Sequence, residues 1–290
     1  MSTAPERDRR GIPLRAVVPN AVTALALCSG LSGIRFGMSG DWERALMFVA
    51  FAAVLDGMDG RIARALKGQS RFGAELDSLS DVVAFGVAPA LITYLWVLRE
   101  WNPYGWIFAL AYAVCMALRL ARFNARIDVQ DQPHKSAGFL TGVPAPAGAA
   151  VVLLPLLLWL ASNESWAWLR DYRLVSAWTA FSAFMIISSV ATWSLGSLRL
   201  RRNVRLEAIV LIAILGGALF SAPWETLSLI VIVYLALIPF SMASYAKVRR
   251  QRAVQHQPSL PGLEPAAPHA ALPADRPARR RRSEPSAPLE

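Results

Sequence analysis

Four aspartates, Asp56, Asp59, Asp77 and Asp81, stand within 26 residues of one another between two strongly apolar segments. Asp56 and Asp59 are three residues apart, and Asp77 and Asp81 are four apart. On helices either spacing puts both carboxylates on one face. Two helices meeting face to face bring all four together. Carboxylates at such range repel and do not all stay ionised unless a cation stands among them. Oxygen-only ligands suit hard divalent ions, and Mg²⁺ is typically held by carboxylates plus substrate phosphates. Gly60 and Gly73 remove side chains where a bulky group can approach the backbone. Arg64 lies one turn beyond Gly60, and a guanidinium suits phosphate oxygens. Residue types and spacing therefore describe a metal–diphosphate site. The competing reading, a solvated acidic face, fits poorly with flanks this apolar.

The whole pattern D-x2-D-G-x2-A-R-x8-G-x3-D-x3-D is met by Asp56, Asp59, Gly60, Ala63, Arg64, Gly73, Asp77 and Asp81. It resembles the signature of the CDP-alcohol phosphatidyltransferases. The resemblance implies a metal-dependent transfer from a CDP-activated lipid. It assigns Asp56, Asp59 and Asp77 to metal, with two Mg²⁺ or Mn²⁺ ions expected. It gives Asp81 the role of base with a metal contact, places Gly60 and Gly73 near the nucleotide and Arg64 near phosphate, and implies a homodimer. Spacing alone does not separate a base at Asp81 from a fourth ligand. Pro19-Asn20-Ala21-Val22-Thr23 matches a P-N-x-x-T element that the family carries near its cytidine site, so Asn20 and Thr23 join the CDP-lipid group. Read without the resemblance, both are equally ordinary capping residues.

These residues must be positioned by a membrane-embedded helical scaffold. Of 290 residues, 55% are hydrophobic and 17% charged, with a mean hydropathy of +0.38. That composition is of a polytopic membrane protein. The expectation is an all-α bundle of about eight spans: residues 19–37, 43–66, 75–98, 103–123, 143–162, 174–194, 206–221 and 224–246. No cleavable signal peptide is evident at the start, and Cys28 and Cys115, each in an apolar run, imply neither a disulfide framework nor a zinc site. In the second span the purely apolar part, Leu46 to Leu55, is only ten residues. A crossing needs roughly 20, so the Asp56–Arg64 half must complete it and the acids sit at the edge of the hydrocarbon. Ionisable residues there are costly and point to function.

Lys and Arg cluster on alternate connections: Arg7, Arg9, Arg10 and Arg15; Arg61, Arg64, Lys67 and Arg71; Arg119, Arg122, Arg126 and Lys135; Arg199, Arg201, Arg202 and Arg205; Lys247, Arg249, Arg250 and Arg252. The intervening connections carry only Arg35, Arg44, Arg99, Arg170 and Arg173. Positive charge stays inside, so the acid cluster and both termini are expected on the cytoplasmic side of a bacterial cytoplasmic membrane. The net charge of +10 then reflects topology and lipid contact, not nucleic acid. The expected organisation is a basic juxtamembrane segment at 1–18, a transferase domain at 19–246, and a tail at 247–290. The tail carries eight prolines between Pro258 and Pro288 and a run Arg279–Arg282, which reads as disordered.

Three further stretches resemble the serine-accepting, membrane-integral bacterial members of the family: residues 77–91 (DSLSDVVAFGVAPAL), 119–124 (RLARFN) and 139–151 (FLTGVPAPAGAAV). Residues 185–200 resemble a fourth more loosely, with Gly196 where a Lys is common. The resemblance covers residues 12–205 and leaves the last two spans and the tail without a role. It implies CDP-diacylglycerol and L-serine as substrates. Arg119 and Arg122, one turn apart, suit the serine carboxylate, or else serve as positive-inside anchors; Asn124 is a ligand contact or a helix cap. A phosphorylated acceptor such as glycerol phosphate or inositol phosphate calls for extra basic residues near Asp81, where the sequence is neutral. A cation transporter would scatter its acids over several spans near the midplane. No dinucleotide-binding, Walker or triad pattern and no internal repeat is present.

Overall fold

The computed structural model describes residues 14–68, 70–125, 139–141, 143–188, 191–193 and 205–255. Arg7, Arg9, Arg10, Arg126, Lys135, Gly196, Arg199, Arg201, Arg202 and the Pro-rich segment from residue 256 lie outside them. The chain forms two compact units, Met1–Arg249 and Arg250–Glu290. The first carries every element below except the last turn of the final helix.

Helix α1 (Leu14–Met38) and helix α2 (Trp42–Ala65) form an antiparallel pair. The tight turn between them uses Gly40 at φ 77°, a left-handed conformation that glycine adopts freely. Asp41 then caps α2, its carboxylate accepting from the Arg44 amide at 3.1 Å. The buried face of α2 reads Ala45, Leu46, Val49, Ala52, Leu55 and Asp59. Helical periodicity thus runs the apolar stripe directly into an acid.

Helix α3 (Arg71–Asp81) follows a short turn. Ser70 caps it, its hydroxyl accepting from the Gly73 amide at 3.0 Å. A π-helical segment, Val82–Val87, joins α3 to helix α4 (Ala88–Trp96). Helix α5 (Tyr104–Ala125) returns across the bundle. Helices α6 (Ala145–Val152) and α7 (Leu154–Ala161) occupy the fifth expected span as two halves. The break has a cause. Pro155 has no N–H, so the Val151 carbonyl four residues back loses its donor. The Trp178 indole N–H from helix α8 (Tyr172–Ile187) supplies one at 2.7 Å. In hydrocarbon an orphaned carbonyl has no water to turn to.

Helices α9 (Arg205–Ser221) and α10 (Pro223–Gln255) complete the chain. The described structure is helical, as the sequence implies, with one exception. Strand β1 (Phe139–Thr141) pairs antiparallel with strand β2 (Ala191–Trp193), Leu140 facing Thr192. This corrects the sixth span: α8 stops at Ile187, not at 194, because Ser188 turns extended (φ −64°, ψ 142°) and the chain enters the pairing. Thr192 and Trp193 favour a strand over a helix. At the other end, α10 runs on to Gln255, past the expected start of the tail.

The core lies among α2, α4, α5, α6, α7 and α8, centred on Phe85, Ile92, Trp96, Tyr112, Met116 and Leu156. Around it the surface is apolar: α9 exposes Ile209, Leu211, Ile212 and Ile214, and Phe220 is 93% exposed. A face like this belongs in lipid. Val17–Met38, Arg71–Trp96 and Tyr104–Ala125 are long and apolar enough to cross a bilayer, and Tyr172–Ile187, Ile209–Ser221 and Pro223–Pro239 are shorter apolar helices. The protein is an integral membrane protein.

Candidate active site

The site is built where α1, α2 and α3 converge. Asp59 ends the buried stripe of α2 at 5% exposure. Such burial needs a partner, and Thr23 on α1 provides it. Its hydroxyl lies 2.7 Å from Asp59 Oδ2 and 3.1 Å from the Pro19 carbonyl. Thr23 is therefore not a helix cap. Ser80 of α3 closes the triangle by donating to the Thr23 carbonyl at 3.2 Å. One threonine thus ties all three helices together at the acids.

Asp56, Asp59 and Asp77 each offer a carboxylate oxygen, all within 4.8 Å of one another. The facing of α2 against α3 that the spacing implies is thus present. Three hard oxygen ligands at this range, one already oriented by a hydroxyl, fit a divalent cation in type and spacing. Asp81 stands outside the trio, and its carboxyl is a close neighbour of that of Asp56. It also interacts electrostatically with Arg119 of α5.

A cavity of about 440 Å³ opens beside the trio. Asn20, Thr23, Gly60, Arg64 and Gly73 all line it, with Asp59 and Asp77 at its wall. The volume falls in the usual range of ligand pockets, about 300–1,000 Å³. Gly73 leaves room for two side chains: a Cβ there would lie 2.7 Å from Asn20 Oδ1 and 3.1 Å from Ser70 Oγ. Its absence lets α1 bring Asn20 against the start of α3.

The three remaining candidates separate. Arg119 is half-buried; its Nη1 is 4.0 Å from Met116 Sδ, and its Nε has no hydrogen-bond partner among the described residues. Arg122 points elsewhere and donates to the Ile187 carbonyl at 3.0 Å, capping the end of α8. Asn124 donates to Ser78 Oγ of α3 at 2.8 Å, so it ties two helices and does not cap its own. Ser70, Ser78 and Ser80, whose hydroxyls lie between the acids in the chain, add to the site beyond the residues that spacing singles out. Tyr234 of α10, an electrostatic neighbour of Arg119, carries no local sequence signal.

Fold and site together define a helical integral membrane protein with a carboxylate cluster beside a ligand-sized cavity. The family model of the CDP-alcohol phosphatidyltransferases matches residues 16–183, and a second, CDP-alcohol phosphatidyltransferase 2, matches residues 203–239. The chain belongs to the CDP-alcohol phosphatidyltransferase family. The second match corrects the expectation that α9 and α10 fall outside the resemblance. The chain is similar to a CDP-diacylglycerol–serine O-phosphatidyltransferase of Mycobacterium tuberculosis, 39% identical over 88% of this chain and 85% of that one. A Mycobacterium leprae protein of the same name is 38% identical over 83% of this chain and 79% of its own. One from Helicobacter pylori is 33% identical over 75% of this chain and 87% of its own.

Proposed function

We propose that the protein transfers the phosphatidyl group of CDP-diacylglycerol to the hydroxyl of L-serine, giving phosphatidylserine and CMP. The relatives' names support the acceptor. The structural observation that carries the reading is Arg119, a guanidinium with an unpartnered Nε among the described residues that interacts electrostatically with Asp81.

In this reading the cytidine diphosphate occupies the cavity, with Asn20 and Gly73 at the nucleotide and Arg64 on phosphate oxygens. Asp56, Asp59 and Asp77 would hold Mg²⁺ or Mn²⁺, as two ions with Asp81 in contact. When bound, the metal neutralises negative charge on the diphosphate and on departing CMP. Thr23 keeps the Asp59 carboxylate oriented. Arg119 receives the serine carboxylate in a two-pronged contact. Arg122 and Asn124 hold α5 against α8 and α3 so that Arg119 is correctly placed. Asp81 accepts the proton of the serine hydroxyl. The serine oxygen forms its bond to the lipid-side phosphorus as the bond to CMP breaks, and CMP leaves with the electron pair.

The same proposal includes the topology. Helices α1, α2, α3 with α4, α5, α6 with α7, α8, α9 and α10 make eight crossings, with the acids and both termini at the cytoplasmic face. It retains the juxtamembrane segment, transferase domain and tail, and a homodimer. Support comes from the end away from the acids. There Trp101 stacks with Phe108 at 5.7 Å and touches Tyr172 at 5.6 Å, and Arg170 lies over Trp159 at 5.4 Å. Aromatic belts of this kind mark a membrane–water interface.

The test offers purified protein CDP-diacylglycerol with serine, glycerol phosphate or inositol phosphate in turn, with and without Mg²⁺ or Mn²⁺. Metal-dependent CMP release with serine alone is expected. Release with a phosphorylated alcohol instead would move the protein to another acceptor. No CMP release, with metal uptake into vesicles, would make it a transporter.

A further inference from the structure

The π-helical segment Val82–Val87 begins at the residue after Asp81. In an unbroken α-helix Asp77, Asp81, Ala88 and Ile92, spaced by four, seven and four residues, would share one face. Ala88 and Ile92 are fully buried in the apolar core, and Asp77 meets Asp56 and Asp59. A π turn accommodates about one residue more than an α turn and so rotates α3 against α4 by about 100°. That offset resets the direction in which the acids of α3 leave the helix relative to the apolar residues of α4.

The segment is held from two sides. Pro89 has no N–H, so the Phe85 carbonyl four residues back lacks its α-helical donor. The hydroxyl of Tyr112, on α5, donates to that carbonyl at 3.1 Å. Tyr112 is fully buried. On the other side α1 presses on Ala84: a Cβ on Gly30 would lie 2.7 Å from the Ala84 Cα.

We propose that Tyr112 is a positioning residue for Asp81. By satisfying the Phe85 carbonyl it fixes the π turn, and with it the direction in which Asp81 leaves α3. The proposal rests on Asp81 being the base. Tyr112 also neighbours Arg119 electrostatically, so the test must separate the two routes.

Full-length protein in lipid nanodiscs is assayed as wild type, Tyr112→Phe, Asp81→Asn and the double variant, with radiolabelled CDP-diacylglycerol to follow slow turnover. Tyr112→Phe is expected to lower kcat about 3- to 10-fold, the worth of one neutral hydrogen bond. Both KM values should stay within about twofold, and the loss should vanish in the Asp81→Asn background. Amide hydrogen exchange of residues 82–90 should quicken in Tyr112→Phe while α1 and α2 keep their protection. The same proportional loss in both backgrounds, a raised KM for serine, or wild-type turnover and exchange in Tyr112→Phe would each overturn the proposal. The Asp81 reading fails separately, if Asp81→Asn alone retains turnover.

Discussion

At the scale of residues, four carboxylates of one type occupy two kinds of place. Asp56, Asp59 and Asp77 face one another, while Asp81 interacts with Asp56 and Asp77 and also with Arg119. A ligand and a base respond differently to the loss of charge. Asp77→Asn should lose metal affinity and turnover together. Asp81→Asn keeps shape but not basicity. It should bind Mn²⁺ and CDP-diacylglycerol within a few-fold of wild type, while kcat falls by about 10²–10⁴. Titration calorimetry of Mn²⁺ in the presence of the lipid compares the two; equal loss of metal makes Asp81 a ligand. The two arginines part in the same way. Arg119→Lys keeps the charge and loses the fork. It should raise the KM for serine by roughly 10- to 150-fold, one charge-assisted hydrogen bond, and leave that for CDP-diacylglycerol near wild type. Arg122→Lys, removed from a helix-end contact, should leave the ratio of the two KM values unchanged. A shift in that ratio on Arg122→Lys would return it to the serine site.

At the scale of elements, two prolines free a carbonyl four residues back, and a side chain of a neighbouring helix supplies each with a donor. Trp178 serves the carbonyl freed by Pro155, and Tyr112 the one freed by Pro89. Trp178→Phe keeps most of the ring and removes the donor. Leaving a buried carbonyl unpaired costs about 1–3 kcal/mol. Its thermal unfolding midpoint should drop while turnover per folded molecule stays near wild type. An unchanged midpoint would mean that α6 and α7 do not depend on this bond.

At the scale of the whole molecule, the acids stand at one end of the bundle and the Trp101, Phe108 and Tyr172 cluster at the other. Lys67 lies exposed in the turn between the acid-bearing helices, and Trp168 lies exposed near the aromatic end. With Cys28 and Cys115 replaced by Ser, Lys67→Cys should resist an impermeant maleimide in intact cells and react after lysis. Trp168→Cys should react from outside. Labelling of the first from outside inverts the orientation.

The spacing of the acids and most helices were legible in the sequence, because each is a periodic or local property of one segment. So was the family, since eight fixed positions in 26 residues leave little room for chance. What tertiary structure decided is which neighbour each face meets. Arg119 and Arg122 are alike in sequence, one turn apart on one helix, yet α8 takes one and the acid site keeps the other. The π turn after Asp81 left no mark in VVAFGVAPA, because an apolar run buried on most sides carries no register. The strand pair Phe139–Thr141 with Ala191–Trp193 depends on a partner some fifty residues away, beyond any local signal. Residue chemistry and period fix what a helix offers, and packing fixes to whom.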